Sequence, residues 1–193
     1  MRTVHSILYL RKAVFPISYP KKDIPTEEKN KTVGGMLYLV PTPIGNLSDI
    51  TKRALKVLSE VDFVAAEDTR NTGLLLSCYE ISKPMISYFE HNKRERGEII
   101  AARLEAGESC ALVTDAGTPA ISDPGEDLVR LCAERNIPVT SLPGACAAVT
   151  ALTLSGLFTG RFAFEGFLST AKSERRRILT ELASEKRTLI LYE

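Results

Sequence analysis

Short apolar segments alternate with longer amphipathic ones from residue 36 onwards, and this alternation predicts strands followed by helices. The apolar segments are four or five residues long, which is typical of strands buried on both faces of a parallel sheet, and they occupy residues 37–40, 63–66, 85–89, 110–114 and 139–142. The segments between them carry apolar residues three and four positions apart. They therefore predict helices that cover both faces of the sheet, and the fold class is expected to be α/β.

The first predicted helix follows the strand at 37–40. Ser48 or Asp49 is expected to cap its N-terminus, because short polar side chains accept hydrogen bonds from the first free N–H groups of a helix. Further helices are predicted near residues 73–79, from about 99 to Gly107, around 128–132 and from about 145 to 154.

Three regions differ in composition, and we expect them to be separate parts of the protein. Residues 1–35 mix basic residues with prolines, which predicts a disordered or non-native extension ahead of Met36, the expected usual initiator. An organelle-targeting segment is the alternative, because basic residues outnumber acidic ones early in the chain. Residues 36–155 predict an N-terminal α/β domain, and residues 156–193 predict the start of a second one. The elements of that second domain are a strand at 162–168, a basic helix at 172–185 and a strand at 188–192. Because no helix follows the last strand, we expect the chain to be truncated at its C-terminus.

The composition is that of a soluble globular protein, with 44% hydrophobic and 25% charged residues. The net charge of +1 argues against a strongly basic nucleic-acid-binding arm but leaves room for a local basic patch. No apolar run is long enough to span a bilayer. The four cysteines form no C-x-x-C pair and there are only two histidines, so no metal site is expected. Reduced cysteines in a cytoplasmic protein fit this pattern best.

The most informative segment is D-A-G-T-P-A-I-S-D-P-G at 115–125, directly after a predicted strand. Its two Gly and two Pro prevent regular structure, and its small residues let a ligand approach the backbone. Loops of the same kind follow strands at 41–46 and 142–147. Because parallel strands end at one edge of the sheet, we expect the three loops to converge on one ligand. For the 142–147 loop, tight strand–helix packing is an equally good explanation.

The signatures of the common nucleotide sites are missing from the sequence. No G-x-G-x-x-G follows a strand, and no Walker-type G-K-[ST] motif is present. A G-x-S-x-G nucleophile motif is missing as well. An ordinary dinucleotide or nucleoside-triphosphate site, and serine-hydrolase chemistry, are therefore not expected.

A cluster of charged side chains lies at the end of the second predicted strand. The motif A-A-E-D-T-R at 65–70 brings Glu67 and Asp68 to the edge where a ligand is expected. The structural alternative is that Asp68 or Thr69 only caps the next helix and that Arg70 pairs locally. The sequence supports both interpretations equally.

Two further groups of ionisable residues have weaker functional interpretations. His91 follows a strand, but a lone histidine is more often a surface or capping residue than a catalyst. A basic run near the C-terminus can contact phosphates, although such a run is more often a solvated helix face. It comprises Lys172, Arg175, Arg176 and Arg177, with Lys186 and Arg187 nearby.

Six motifs within residues 36–193 resemble those of the ribosomal RNA small subunit methyltransferase I family, a bacterial branch of the tetrapyrrole methylase superfamily. They are L-Y-L-V-P-T-P-I-G-N-L-S-D-I-T at 37–51, A-A-E-D-T-R-N-T-G at 65–73, A-L-V-T-D-A-G-T-P-A-I-S-D-P-G at 111–125, L-P-G-A-C-A-A at 142–148, F-E-G-F-L at 164–168 and R-T-L-I-L-Y-E at 187–193. The resemblance implies a tetrapyrrole-methylase-like α/β fold, with a parallel-sheet N-terminal domain and an incomplete second α/β domain.

The resemblance also implies a function, namely methyl transfer from S-adenosylmethionine to the 2′-oxygen of a decoding-region cytidine in 16S rRNA. It implies a homodimer that acts on rRNA or a ribosomal particle, away from membranes, with the cofactor between two α/β domains and no metal. The cofactor-binding residues that it implies are Pro43, Gly45, Asp115, Gly117, Thr118, Pro119, Ile121, Gly144, Ala145, Cys146 and Ala147. For Asp115, shaping the loop is the alternative role.

A ribose hydroxyl is a weak nucleophile near neutral pH, so a positioned base is expected to assist the reaction. The candidates are Glu67, Asp68, His91 and Asp115, and our hypothesis takes Glu67 or Asp68 as the catalytic residue. Two other functions stay open. One is methylation of a tetrapyrrole, although P-T-P-I-G-N-L at 41–47 departs from the Gly-rich first loop of such enzymes. The other is a truncated, non-catalytic binding or dimerisation fragment.

Overall fold

Strands and helices alternate along residues 31–193, the part of the chain that the computed structural model describes. The strands are β1 (Leu37–Leu39), β2 (Phe63–Ala66), β3 (Met85–Ser87), β4 (Cys110–Val113), β5 (Val139–Ser141), β6 (Phe162–Phe167) and β7 (Thr188–Tyr192). The α-helices are α1 (Lys52–Glu60), α2 (Thr69–Cys78), α3 (Lys93–Glu105), α4 (Glu126–Glu134), α5 (Ala147–Leu154) and α6 (Lys172–Leu182). The predicted α/β fold class is confirmed, with every predicted strand and helix present.

The strands form two parallel sheets within one compact unit, Thr32–Glu193. The larger sheet has the order β3-β2-β4-β1-β5, and in its register Leu37 lies between Cys110 and Val139. The smaller sheet pairs β6 with β7. Since all neighbours are parallel, the carboxyl ends of the strands in each sheet lie at the same edge.

The strand order creates a crevice between β1 and β4. The connection from β1 runs to β2 on one side of the pair, whereas the connection from β4 runs to β5 on the other. Because such crossovers are right-handed, α1 and α4 cover opposite faces of the sheet, and a ligand site is expected where the two loops part. This is the position of the loops at 41–46 and 115–125.

The hydrophobic core has two layers, one on each face of the larger sheet. Tyr38 and Val40 point to the layer that also contains the buried residues of α1 and α2. Leu37 and Leu39 point to the layer formed with α3 and α4. The alternation of these neighbours along one strand follows from the two-residue period of a strand. Both layers are apolar, as the uninterrupted apolar strands predict.

The N-cap of α1 differs from the sequence-based prediction. Thr51 caps this helix, with its Oγ1 accepting a hydrogen bond of 3.0 Å from the Ala54 N–H. Ser48 and Asp49 lie instead in a short 3₁₀ turn, Leu47–Asp49, which is capped by Asn46. The prediction of Ser48 or Asp49 as the cap is therefore wrong. Two cappable turns follow each other here, and the apolar periodicity does not distinguish their boundaries.

The predicted extension, residues 1–35, lies outside the described residues except for its last five positions. Within these, the Thr32 hydroxyl donates to Glu60 Oε2 at 2.6 Å, and the Val33 N–H donates to the Tyr38 hydroxyl at 2.8 Å. The Gly35 N–H lies 3.1 Å from the Gly107 carbonyl oxygen. Residues 32–35 therefore contact the α/β fold directly.

We expect the Phe63→Ala variant to lose about 3–5 kcal/mol of unfolding free energy, because Phe63 is fully buried and its removal leaves a cavity. The guanidinium of Arg103 lies 3.6 Å from the centroid of the Phe63 ring, so the substitution also removes the ring on which Arg103 stacks. Urea unfolding followed by circular dichroism measures the change. Phe162→Ala, at an exposed phenylalanine, is the matched control, with an expected change within about 0.5 kcal/mol. A loss below about 1 kcal/mol for Phe63→Ala would contradict the assignment of this ring to the core.

Candidate active site

Three loops meet at the carboxyl edge of the larger sheet, as the sequence predicts. The Thr42 N–H donates to the Gly117 carbonyl at 2.9 Å, and the Gly117 N–H donates back to the Thr42 carbonyl at 3.1 Å. The Thr118 hydroxyl donates to the Ala145 carbonyl oxygen at 2.8 Å. These bonds join the loop at 115–125 to both of the other loops, so the three form one connected surface.

The backbone of the 115–125 loop is tightly constrained. Gly117 has a φ of +89°, and Ala120 and Ser122 have φ values of +67° and +59° although they carry side chains. Such left-handed conformations are uncommon for residues other than glycine and persist only where the surroundings enforce them. The segment is therefore a fixed platform rather than an adaptable turn.

A cavity of about 310 Å³, here called the loop cavity, lies between the three loops and the ends of β6 and β7. Its residues are mostly small or apolar, and one carboxylate and three hydroxyl groups provide most of the side-chain polarity. They are Ile44, Ala116, Gly117, Thr118, Ile121, Ser122, Asp123, Cys146, Ala147, Phe167 and Tyr192. A polar ligand here must contact the backbone extensively, because few charged side chains are available.

A second cavity, here called the α2 cleft, lies on the other side of Asp115 and measures about 260 Å³. Asn71 Nδ2 donates to Asp115 Oδ2 at 3.2 Å within it. The hydroxyl of Thr114 is buried and has no hydrogen-bond partner among residues 31–193. The residues of the cleft are Pro43, Leu47, Asn71, Thr72, Leu74, Leu75, Cys78, Thr114 and Asp115. Asp115 and Ala116, adjacent in sequence, thus face different cavities.

The structure brings together only part of the predicted cofactor set. Five of those residues line the loop cavity, namely Gly117, Thr118, Ile121, Cys146 and Ala147, whereas Pro43 and Asp115 line the α2 cleft. The remaining four, Gly45, Pro119, Gly144 and Ala145, line neither cavity. Gly144 has a packing role, because a Cβ at this position would lie 2.6 Å from Pro41 Cβ.

Sequence reasoning missed several residues of the loop cavity. Phe167 and Tyr192 end the two strands of the smaller sheet, and their rings meet edge to face with centroids 5.3 Å apart. The rule that ligands lie at the carboxyl ends of parallel strands applies to this sheet as well, so it could have identified them. The other residues missed are Ile44, Ala116, Ser122 and Asp123.

Three carboxylates lie close to one another between the two cavities. Glu67 Oε2 accepts a hydrogen bond of 3.3 Å from the Asp115 N–H. Burial raises the pKa of Asp123 to about 6, and the negative charges of Glu67 and Asp115 add to the rise. Asp123 is thus half protonated near pH 6, a pKa that suits a group transferring a proton near neutral pH.

Asp68 lies at the predicted strand end but makes structural contacts there. It caps α2 by accepting from the Arg70 N–H at 2.8 Å, and its other oxygen accepts from Arg70 Nη2 at 2.6 Å. The side-chain hydrogen bonds from Arg70 lower the pKa of Asp68 to about 2. The local alternative for Asp68 and Arg70 is therefore present in the structure, and a carboxyl with so low a pKa is a weak base.

The remaining candidates lie away from the loop cavity. His91 is exposed, and its ring lies edge-on to Phe89 with centroids 6.2 Å apart. A larger groove of about 480 Å³ separates α3 from α4, and Lys93 binds Asp127 at 2.7 Å beside it. None of the loop residues lines that groove.

Within residues 31–193, no three His, Cys, Asp or Glu side chains are arranged to hold a metal ion. No helix in that range is long and apolar enough to cross a membrane.

Comparison with known proteins identifies the family. The family model described as Tetrapyrrole (Corrin/Porphyrin) Methylases matches residues 36–193. The chain belongs to this family. Among curated proteins, it is similar to ribosomal RNA small subunit methyltransferase I of Synechocystis sp. and of Haemophilus influenzae, with 57% and 55% identity over 159 residues. These alignments cover 82% of this tetrapyrrole methylase chain but only 57% and 56% of the two relatives. The chain thus spans little more than half their length.

Solved structures share the fold of this tetrapyrrole methylase chain. Diphthine synthase superposes with a TM-score of 0.59 and 18% identity, covering 81% of this chain and 64% of that one. Uroporphyrin-III C-methyltransferase of Thermus thermophilus, complexed with S-adenyl homocysteine, superposes with a TM-score of 0.50 and 19% identity. That match covers 72% of this chain and 61% of the other. At such identities the likeness supports the fold alone.

Proposed function

We propose that this chain supplies the cofactor site of an S-adenosylmethionine-dependent methyltransferase acting on small-subunit rRNA. The proposed acceptor is the 2′-oxygen of a cytidine in the decoding region of 16S rRNA. The observation that carries the proposal is the loop cavity at the β1–β4 crevice, whose residues all lie within the segment that matches the family model, 36–193. The choice of cofactor follows the methyltransferase names of the curated relatives, and a protein of the same fold was solved with S-adenyl homocysteine, the demethylated form of this cofactor.

The residues of the loop cavity fit S-adenosylmethionine. Ile44 and Ile121 offer apolar walls for an adenine ring, and Phe167 offers an aromatic edge. Gly117 has a φ of +89°, which glycine adopts without strain, and it presents bare backbone to the cavity. Asp123 provides one negative charge for a cationic ligand or for ribose hydroxyls. When bound, S-adenosylmethionine supplies a methyl group that is already activated on a sulfonium.

Because the donor is already activated, the residues of this chain mainly orient the acceptor and hold its proton. The proposed base is a carboxylate at the boundary of the two cavities. Glu67 and Asp68 remain the sequence-based candidates, and Asp123 joins them because it lines the loop cavity and has a pKa of about 6. The contacts of Asp68 with Arg70 favour Glu67 and Asp123 over it.

The α2 cleft is the proposed entrance for the acceptor. It adjoins the loop cavity through Asp115 and Ala116, so an acceptor held there lies beside the proposed cofactor site. Asn71 and Asp115 offer an amide donor and a carboxylate acceptor, and a carboxylate accepts hydrogen bonds from the amino group of cytosine. Pro43 and Leu74 offer apolar surface for the face of a base.

The proposed assembly is a homodimer in the cytoplasm that acts on free rRNA or on a ribosomal particle. Exposed apolar side chains at the end of α5 and in the loop that leads to β6 support association with a second copy, since Leu154 is 83% exposed and Phe158 is 71% exposed. Leu157, between them in sequence, is exposed as well.

The test is transfer of radiolabel from S-[methyl-³H]adenosylmethionine to 16S rRNA, to assembled small subunits and to a uroporphyrinogen. The expected product is rRNA labelled at the 2′-oxygen of one decoding-region cytidine, mapped by mass spectrometry of nuclease fragments. An rRNA fragment with 2′-deoxycytidine at that position is the matched control and is expected to stay unlabelled. Label on the porphyrinoid alone would support the tetrapyrrole alternative. Cofactor binding without any transfer would support the non-catalytic alternative, and no cofactor binding would contradict the proposal altogether.

A further inference from the structure

One side of α6 carries three cations without a carboxylate partner. Lys172, Arg175 and Arg176 are exposed and form no salt bridge with any residue in the described range, 31–193. Their spacing of three and four residues places them on one side of the helix. With Leu179, Thr180 and Ala183 they line a shallow groove of about 490 Å³, here called the α6 cationic face.

The acidic residues of this segment are all engaged elsewhere. Glu174 and Glu181 bind Arg177 at 2.6 and 2.5 Å, and Glu185 binds Arg187 at 2.6 Å. Arg177 therefore belongs to a neutralised ion-pair cluster on another side of the helix. The unpaired cations of α6 thus lie on one side of the helix and its ion pairs on another. On an ordinary solvated helix surface, by contrast, opposite charges are mixed.

Helix stability does not explain this arrangement. The three cations lie in the first two turns of α6, and positive charges near a helix N-terminus interact unfavourably with the helix dipole. Like charges three and four residues apart also repel each other. An anionic partner would relieve both effects.

The α6 cationic face lies at the same end of the smaller sheet as the loop cavity. β6 and β7 are parallel, and their last residues, Phe167 and Tyr192, line that cavity. The helix that joins them runs back along the sheet, so its first turn lies at the carboxyl end of β6. A chain of phosphates crossing Lys172 and Arg175 would thus approach the loop cavity.

We infer that the α6 cationic face binds backbone phosphates of the RNA acceptor, an inference that rests on the proposed function. Charge complementarity carries the choice of partner, since Lys172, Arg175 and Arg176 line one groove with no carboxylate partner within residues 31–193. Exposed Lys and Arg side chains neutralise phosphates and release counterions, which makes binding strongly dependent on salt. The face contributes affinity and orientation, whereas the loop cavity and the α2 cleft hold the reacting groups.

The experiment compares the Lys172→Ala/Arg175→Ala/Arg176→Ala triple variant with Arg177→Ala, a matched loss of an arginine from the same helix. Fluorescence anisotropy of the 193-residue chain measures affinity for a 16S rRNA decoding-region fragment at several salt concentrations. We expect the triple variant to bind at least about tenfold more weakly, with the slope of log K against log salt reduced by about 2–3. We expect Arg177→Ala to stay within about twofold of the unsubstituted chain.

Calorimetric titration with S-adenosylmethionine separates this inference from the proposed function, because cofactor binding is expected to be equal in all three proteins. Equal RNA affinity and salt slope in the triple variant would overturn the inference, even if rRNA is methylated. The inference would also be overturned if the unsubstituted chain did not bind the RNA fragment. It would be overturned equally if that chain bound polyglutamate as tightly as the RNA, because the face would then not select phosphates. Loss of cofactor binding in the unsubstituted chain would instead contradict the proposed function.

Discussion

The Ala147→Trp variant is expected to bind S-adenosylmethionine at least about a hundredfold more weakly than the unsubstituted chain, a change of about 2.8 kcal/mol. Ala147 is the first residue of α5 and lines the loop cavity, so an indole at this position fills space that the cofactor needs. Because Ala147 is exposed, the larger side chain does not enter the core, and the unfolding midpoint is expected to change little. Calorimetric titration and thermal unfolding measure the two effects.

Ala151→Trp is the matched control, since it makes the same substitution one turn further along α5. Ala151 is also exposed and does not line the loop cavity, so cofactor affinity is expected to be unchanged. Wild-type affinity in Ala147→Trp would contradict the assignment of the loop cavity to the cofactor. A comparable loss in both variants would indicate a general effect on α5 instead.

The order of the elements could be predicted because it depends on local patterns. The strands at 63–66 and 110–113 are uninterrupted apolar runs, and the Gly- and Pro-rich loops after β1 and β4 mark the edge where ligands lie. The convergence of the three loops follows from parallel strands alone. The cap of α1 was predicted wrongly because Asn46 and Thr51 cap two successive turns with the same chemistry.

The walls of the candidate site were harder to predict because they combine distant parts of the chain. The strand-end rule marks Phe167 and Tyr192 as ligand-edge residues, but no spacing in the sequence shows that their edge meets the loops of the larger sheet. Asp123 was overlooked because its environment depends on the fold. Its burial and its closeness to Glu67 set its pKa, whereas the sequence shows only a loop aspartate.

The Asp123→Asn variant is expected to stabilise the fold at pH 8 while weakening methyl transfer. The pKa of Asp123 is about 6 in the folded chain, against an ordinary value of 3.8. Between these values the folded state holds a proton that the unfolded state has lost, so the free energy of unfolding falls as the pH rises from about 4 to 6 and stays lower above. Asparagine does not ionise, so the variant does not lose this part of the free energy of unfolding. Urea unfolding from pH 4 to 8 is expected to show that the free energy of unfolding depends less on pH in the variant than in the unsubstituted chain. If Asp123→Asn is the less stable of the two at pH 8, the conclusion that this carboxylate lies in an unfavourable environment is wrong.

If Asp123 holds the acceptor proton, the transfer rate at saturating cofactor rises as the pH passes through about 6, and Asp123→Asn lowers it by about 10²–10⁴-fold. Glu67→Gln then shifts the rise to lower pH, because one of the charges that raise the pKa of Asp123 is gone. A lost rate in Glu67→Gln with full activity in Asp123→Asn would instead assign the base to Glu67. Carboxylates with raised pKa values cluster at functional sites, and the position of Asp123 beside the cofactor cavity supports a role as base.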